Sequence, residues 1–89
     1  MKVLLHHTVE KYLDRLNKSD RDRFDYAFGD LEKEPPEGDI KPVVGQPGKW
    51  RVRVGGYRAL FEIERPNILV THIEPRGQAY TKKSRSKRG

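Results

Sequence analysis

KWRVRVGGYRALF, at residues 49–61, is the stretch that decides the fold. Polar and apolar side chains alternate strictly before Gly55-Gly56, and a second segment rich in apolar and aromatic residues follows it. Such alternation is typical of a strand with one buried face. Two glycines between two such segments predict a β-hairpin with a two-residue turn. We therefore expect antiparallel strands at residues 49–54 and 57–63.

The length of this turn decides which side chains share a face of the sheet. A two-residue turn pairs Val54 with Tyr57, and all pairs further from the turn follow in the same register. Paired side chains lie on the same face. One predicted face is apolar and consists of Trp50, Val52, Val54, Tyr57, Ala59 and Phe61. The other consists of Lys49, Arg51, Arg53, Arg58, Leu60 and Glu62. We expect the first face to form the core and the second to be open.

The arginines on the second face predict an anion-binding surface. Arg53 and Arg58 are expected to lie directly opposite each other, and like charges in that position destabilise a hairpin. An anion between them would remove the repulsion, and the planar guanidinium suits phosphate because it donates two parallel hydrogen bonds. The alternative is a solvated face on which Glu62 and Glu74 partly neutralise the arginines.

The segments around the hairpin complete an α+β pattern. In chain order they are a strand at 2–6, a helix capped by Thr8, a second helix that starts at Ser19 and stops at Pro35-Pro36, a strand at 40–44 and a last strand at 68–73. The order β-α-α-β-β-β-β predicts two N-terminal helices on one face of a small, twisted, mainly antiparallel sheet. Pro42 places the 40–44 strand at an edge or a bulge.

Composition limits what such a chain can do. Its 89 residues allow one small domain, and the absence of cysteine excludes disulfides, thiol nucleophiles and cysteine-ligated metals. The three histidines have no metal-binding spacing, and no apolar stretch approaches the roughly 20 residues that span a membrane. Residues 1–7 are too short an apolar run for a signal peptide, so we expect a cytoplasmic protein.

Charge is distributed unevenly along the chain. Residues 1–40 carry 7 Lys/Arg and 10 Asp/Glu, whereas residues 41–89 carry 12 Lys/Arg and 3 Asp/Glu. A basic half on a small domain predicts a polyanionic partner, most often a nucleic acid. We expect residues 1–81 to form the domain. Residues 82–89 are basic, contain no apolar side chain and are expected to be disordered, either as an arm that follows RNA phosphates or as an ordinary terminus.

Three motifs together resemble the RelE/ParE toxin superfamily. They are the hairpin stretch 50–61, Ile68-Leu69-Val70, and the terminal Arg-x-x-x-Tyr within Pro75-Arg76-Gly77-Gln78-Ala79-Tyr80. The resemblance covers residues 2–82 and is closer to the RelE-type subgroup. It implies a RelE-like fold and a toxin of a type II toxin–antitoxin system, held inactive by an acidic cognate antitoxin.

The same resemblance implies a ribosome-dependent endoribonuclease that cuts mRNA. In such enzymes the 2′-hydroxyl of the RNA attacks the adjacent phosphate and leaves a cyclic phosphate and a 5′-hydroxyl. The family's catalytic positions fall on Arg51, Arg53, Arg58, Arg76 and Tyr80. We expect further RNA contacts from Lys49, Lys82, Lys83 and Arg85. The expected partners are the antitoxin, the ribosome and mRNA, with no cofactor, metal, membrane or small-molecule substrate.

The general base departs from the family pattern. RelE-like enzymes often carry lysine where this chain has Arg51 and Arg53, and arginine does not release its proton. The enzyme is therefore expected to be slow, to use Tyr80 or His72 as its base, or to depend on ribosomal groups. A three-residue turn at 65–67 would put His72 on the arginine face beside Leu60, and a two-residue turn would put it in the core.

Two other functions remain open at the level of sequence. The first is a ParE-like toxin that inhibits DNA gyrase and does not cut RNA. The second is a non-catalytic RNA-binding module on the same fold, which the replacement of lysine by arginine on the basic strand keeps open.

Overall fold

The predicted hairpin lies inside a five-stranded sheet. In the computed structural model, which describes residues 1–75, the elements are β1 (Lys2–Leu5), α1 (His7–Asp14), α2 (Lys18–Leu31), β2 (Ile40–Pro42), β3 (Lys49–Val54), β4 (Tyr57–Glu64) and β5 (Asn67–Pro75). This order confirms the predicted α+β fold. The predicted tail at 82–89 and the predicted domain end at residue 81 lie outside the described residues.

The sheet is mixed, with strand order β1-β5-β4-β3-β2. β1 is parallel to β5, and the other neighbouring pairs are antiparallel. β2 is an edge strand, as Pro42 predicts, because a residue without an N–H is tolerated where no further strand follows. It is shorter than the predicted 40–44 strand.

The hairpin register is the predicted one. Val54 pairs with Tyr57, and the pairing continues to Lys49 and Glu62. Gly55 has φ of 58° and Gly56 does not have a positive φ. A positive φ at the first turn position alone fits a type II′ turn, whose twist matches that of the two strands.

One face of the sheet and both helices enclose the core. The buried side chains, all 8% exposed or less, are Val9, Phe24, Phe28, Leu31, Val52, Val54, Ala59, Phe61, Ile68 and Val70. Burying a large apolar side chain contributes about 1.5–3 kcal/mol. The apolar hairpin face therefore packs under the helices as predicted, and the opposite face is free of helix within residues 1–75.

Both helix starts differ from the prediction. His6, and not Thr8, caps α1, because the His6 ring Nδ1 accepts the Thr8 backbone N–H at 3.2 Å. The Thr8 hydroxyl contacts the same ring nitrogen at 2.9 Å. Asn17 caps α2, since its Oδ1 accepts the Asp20 N–H at 2.8 Å. That helix therefore begins at Lys18, before the predicted Ser19.

Candidate active site

The face of the sheet opposite the helices carries most of the predicted site, and we call it the open face. Cross-strand partners share a face, so its side chains form rows perpendicular to the strands. The hairpin-end row contains Arg53, Arg58 and Glu74; the middle row contains Lys41, Arg51, Leu60 and His72; the third row contains Lys49, Glu62, Leu69 and Leu4. All three arginines predicted from the hairpin lie on this face.

The hairpin-end row is electrically compensated. Arg53 and Arg58 are direct partners, as predicted. Glu74 Oε1 lies 2.7 Å from Arg58 Nη2, and Asp39 Oδ2 lies 3.8 Å from Arg53 Nη1. Each arginine thus has a carboxylate on its outer side. Arg58 Nε is buried and has no acceptor among residues 1–75.

The third row is compensated as well. Lys49 Nζ lies 3.0 Å from Glu62 Oε2, and the row continues into Leu69 and the exposed Leu4. Glu62 therefore pairs with a lysine and not with an arginine. Of the two carboxylates expected to neutralise the arginines, only Glu74 does so directly.

The middle row keeps its positive charge. Lys41 on β2 is the cross-strand partner of Arg51 on β3, and no carboxylate occupies this row. Within residues 1–75, neither side chain forms a salt bridge. Like charges in direct cross-strand contact are destabilising. The uncompensated charge of the open face is thus concentrated at Lys41 and Arg51.

His72 reaches the open face by a route that sequence reasoning missed. The β4–β5 turn has two residues, since Glu64 pairs with Asn67, and this alone would direct His72 into the core. The expectation tied to a two-residue turn is wrong because the register shifts at Leu60/Phe61, so that His72 pairs with Leu60 and Phe61 pairs with Val70. Such a β-bulge moves later side chains to the other face. His72 is exposed.

Leu60 lies at the centre of the resulting arrangement. Arg51 and His72 flank it on neighbouring strands, and Arg58 is two residues away on the same face. Two interstrand spacings put the Arg51 and His72 Cα atoms about 10 Å apart. An anion above Leu60 is therefore within reach of two guanidiniums and one imidazole, which can bind a phosphate and exchange a proton.

The structure brings Arg51, Arg53, Arg58, Lys49 and His72 onto one face. The other predicted site residues, Arg76, Tyr80, Lys82, Lys83 and Arg85, lie outside the described residues. Two open-face contributors were missed, namely Lys41 and Asp39. The lysine in the predicted 40–44 strand was a visible signal. The pairing of Lys41 with Arg51 could not be predicted, because the 43–48 loop sets the register between β2 and β3.

Tyr57 connects the hairpin to the helical layer beneath it. Its hydroxyl donates to Asp20 Oδ2 at 2.9 Å, and its ring centroid lies 5.3 Å from that of Phe24 and 6.3 Å from that of Tyr12. The hydrogen bond to Asp20, followed by burial, raises the pKa of Tyr57. Burial also raises the pKa of Tyr12. These contacts fix the hairpin against α1 and α2, on the side of the sheet opposite the open face.

None of the helices within residues 1–75 has the length and apolar character needed to cross a membrane. The same part of the chain holds no group of three or more His, Asp or Glu side chains arranged to bind a metal ion.

Solved structures resemble this fold closely. The chain is similar to one in the crystal structure of the archaeal RelE–RelB complex from Pyrococcus horikoshii OT3, with 30% identity, a TM-score of 0.72, and coverage of 86% of this chain and 96% of that chain. A chain in the RelB–RelE antitoxin–toxin complex from Methanococcus jannaschii has 23% identity and a TM-score of 0.70, with coverage of 89% of this chain and 96% of that chain. The isolated E. coli RelE toxin has 13% identity and a TM-score of 0.70, with coverage of 96% of each chain. The last two likenesses show the fold alone.

Sequence comparison gives the family. No curated protein sequence matches the chain significantly. The family model for the ParE toxin of the type II toxin–antitoxin system parDE matches residues 3–80, which is most of the chain. Together with the RelE-like structures, this match shows that the chain belongs to the RelE/ParE superfamily of type II toxin–antitoxin toxins.

Proposed function

We propose that this toxin is a ribosome-dependent endoribonuclease that cleaves mRNA. The observation that carries the proposal is the grouping of Arg51, Arg58 and His72 around Leu60 on the open face. This grouping supplies both needs of RNA cleavage without a metal: cations for the phosphate and a group that exchanges protons. The similarity to RelE toxins supports the same activity.

The proposed reaction uses the RNA's own 2′-hydroxyl as nucleophile. Its oxygen forms a bond to the adjacent phosphorus while the bond from phosphorus to the 5′-oxygen breaks, giving a 2′,3′-cyclic phosphate and a 5′-hydroxyl. His72 accepts the proton of the 2′-hydroxyl, and the departing 5′-oxygen takes up a proton from solvent water. Arg51 and Arg58 stabilise the charge on the phosphate oxygens, and a preorganised donor of this kind is worth about 10²–10³ in rate.

Roles for the remaining predicted site residues follow from their chemistry. Arg53, next to Arg58 and only loosely held by Asp39 at 3.8 Å, contributes to the positive field over the site. Arg76 would add a further guanidinium, and Tyr80 would stack on a base or orient the 2′-hydroxyl. Lys49, Lys82, Lys83 and Arg85 would contact the RNA backbone.

Two macromolecular partners belong to this proposal. The open face is a sheet surface and not a deep cleft, so a larger body must hold the RNA against it, and the ribosome would supply that support. An antitoxin would silence the toxin. The similar archaeal structures are RelE–RelB complexes, and a cognate antitoxin of this kind with acidic segments would match the cations of the open face.

Purified protein added to ribosomes that are translating a defined mRNA tests the cleavage activity. The wild-type protein should yield fragments with 5′-hydroxyl ends. Arg51→Ala should lower the rate about 10²–10³-fold, and His72→Gln about 10²–10⁴-fold. Arg65→Ala is the matched control because Arg65 is exposed in the β4–β5 turn and lies outside the site. Equal activity of the wild type and both site variants would refute the assignment.

Inhibition of DNA gyrase without RNA cleavage is the second candidate. The observation that favours it is the match of residues 3–80 to the ParE toxin model. It predicts DNA-damage signalling in expressing cells and no new mRNA ends. An RNA-binding module without catalysis predicts RNA binding with neither effect.

A further inference from the structure

We infer that Lys41 is an additional RNA-binding residue, which holds a backbone phosphate next to the one that is cleaved, and that Arg51, between Lys41 and Leu60 in the same row, donates to both phosphates. The inference rests on the proposed RNA-cleaving function and adds to it. Lys41 lies on β2, the edge strand that forms one border of the open face. Its cross-strand partner Arg51 is in turn the cross-strand partner of Leu60 on β4.

The three rows of the open face differ in their balance of charge. The hairpin-end row balances Arg53 and Arg58 with Asp39 and Glu74, and the third row balances Lys49 with Glu62. Only the middle row, among those described, carries two cations and no carboxylate. A polyanion laid across the open face therefore gains most from contact with the middle row.

The Lys41 and Arg51 side chains are close enough to share one phosphate. Directly opposed side chains have Cβ atoms about 5 Å apart, so the Lys41 ammonium and the Arg51 guanidinium can both reach one phosphate group. Such a phosphate would also relieve the repulsion between the two cations. Further along the row are Leu60, above which the reacting phosphate is proposed to lie, and His72. The middle row thus offers two neighbouring phosphate positions, one at Lys41 and Arg51 and one above Leu60.

Lys41 and Arg51 differ in their exposure to solvent. Lys41 is exposed and Arg51 is half-buried, so the lysine can follow a mobile backbone while the arginine is held by the sheet. A lysine on an edge strand can also serve to block edge-to-edge aggregation. That role requires charge at the edge but no RNA contact, and the two roles therefore give different results in a binding experiment.

Lys2 provides the matched control. It is an exposed lysine on β1, the edge strand at the other side of the sheet, and its cross-strand partner is Asn67. Lys2→Gln and Lys41→Gln remove the same charge from equivalent kinds of position. Lys41→Arg keeps the charge at the proposed phosphate contact.

The experiment measures binding of the full-length protein to a 2′-O-methylated RNA oligonucleotide, which lacks the attacking hydroxyl, over a range of salt concentrations. Lys41→Gln should make the slope of log K against log [salt] less steep by about 0.7, the value for one phosphate contact on a single strand. Lys2→Gln and Lys41→Arg should keep the wild-type slope. An unchanged slope in Lys41→Gln, or an equal loss in Lys2→Gln, would overturn the inference.

Cleavage on ribosomes separates this inference from the function on which it rests. Lys41→Gln should raise KM about tenfold, corresponding to one lost charge-assisted contact, and leave kcat unchanged. A fall in kcat alone would contradict the assignment. If the wild-type protein cuts nothing, the proposed function fails, and the slope measurement still decides whether Lys41 binds RNA.

Discussion

Tyr57 shows how a single residue couples the open face to the helical layer. It occupies the first position after the hairpin turn, and its hydroxyl donates to Asp20 near the start of α2. A hydrogen bond to a charged group contributes about 1.5–3 kcal/mol. The residue therefore holds the arginine-bearing hairpin at a fixed distance from α2.

Tyr57→Phe should lower the free energy of unfolding by about 1.5 kcal/mol, because the hydrogen bond is lost and the ring is kept. The pKa of Tyr57 is raised, so the folded protein holds this proton more tightly than the unfolded chain. The contribution is complete below the unfolded pKa, about 10, and is lost as pH rises through the higher folded pKa. Stability of the wild type should thus fall more steeply than that of the variant above pH of about 10.

Urea unfolding between neutral and alkaline pH makes this measurement. Tyr26→Phe serves as the control, because Tyr26 is 75% exposed and should change stability very little. Equal stabilities of the two variants would mean that the Tyr57–Asp20 hydrogen bond contributes nothing.

Prediction from sequence works best for residues whose face of the sheet is set by the alternation of side chains counted from a nearby turn. The positions of Arg51, Arg53 and Arg58 followed from a two-residue turn alone, and the structure has them as predicted. His72 did not follow, because a bulge depends on how β5 packs against β4 along its whole length. The salt-bridge partners of the arginines come from distant strands and loops, so local pattern could not identify them.

The β3–β4 hairpin is the element on which the site depends. Its turn contains two glycines with different roles. Gly55 has a positive φ, and a Cβ there would lie 2.9 Å from Arg23 Nη1. Gly56 has no positive φ and no atom within 4 Å of an added Cβ. Only the first position therefore requires glycine.

Gly55→Ala should destabilise the protein by about 1–2 kcal/mol, the cost of a left-handed conformation in a residue with a Cβ. The Arg23 side chain is flexible and can move away, so the backbone term dominates. Gly56→Ala should change stability by a few tenths of a kcal/mol. Thermal unfolding of the two variants checks this difference, and equal effects would argue against a type II′ turn.

At the scale of the whole molecule, charge separates into two parts. Residues 1–75 contain 13 Lys/Arg and 13 Asp/Glu, so the described part of the chain is formally neutral. Residues 76–89 contain six Lys/Arg and no acid, and they account for the entire net charge of +6. The division between the N- and C-terminal halves seen in sequence is therefore better placed after residue 75. Long-range attraction to RNA is expected from the terminal segment, and orientation from the open face.

Replacement of Lys82, Lys83 and Arg85 by glutamine should weaken RNA binding similarly for all sequences. Three lost phosphate contacts reduce the salt slope by about 2. The measurement is the same oligonucleotide titration over a range of salt concentrations. The cleavage rate at saturating substrate should be unchanged, and a loss of kcat with an unchanged slope would contradict this assignment.

The central claim, cleavage of translated mRNA at the open face, is tested most directly by mapping mRNA 5′ ends in cells after induction of the toxin. The account predicts new 5′-hydroxyl ends within translated regions, which are absent when Arg51→Ala is induced to the same level. Growth arrest by the wild type without new mRNA ends, accompanied by DNA-damage signalling, would contradict it.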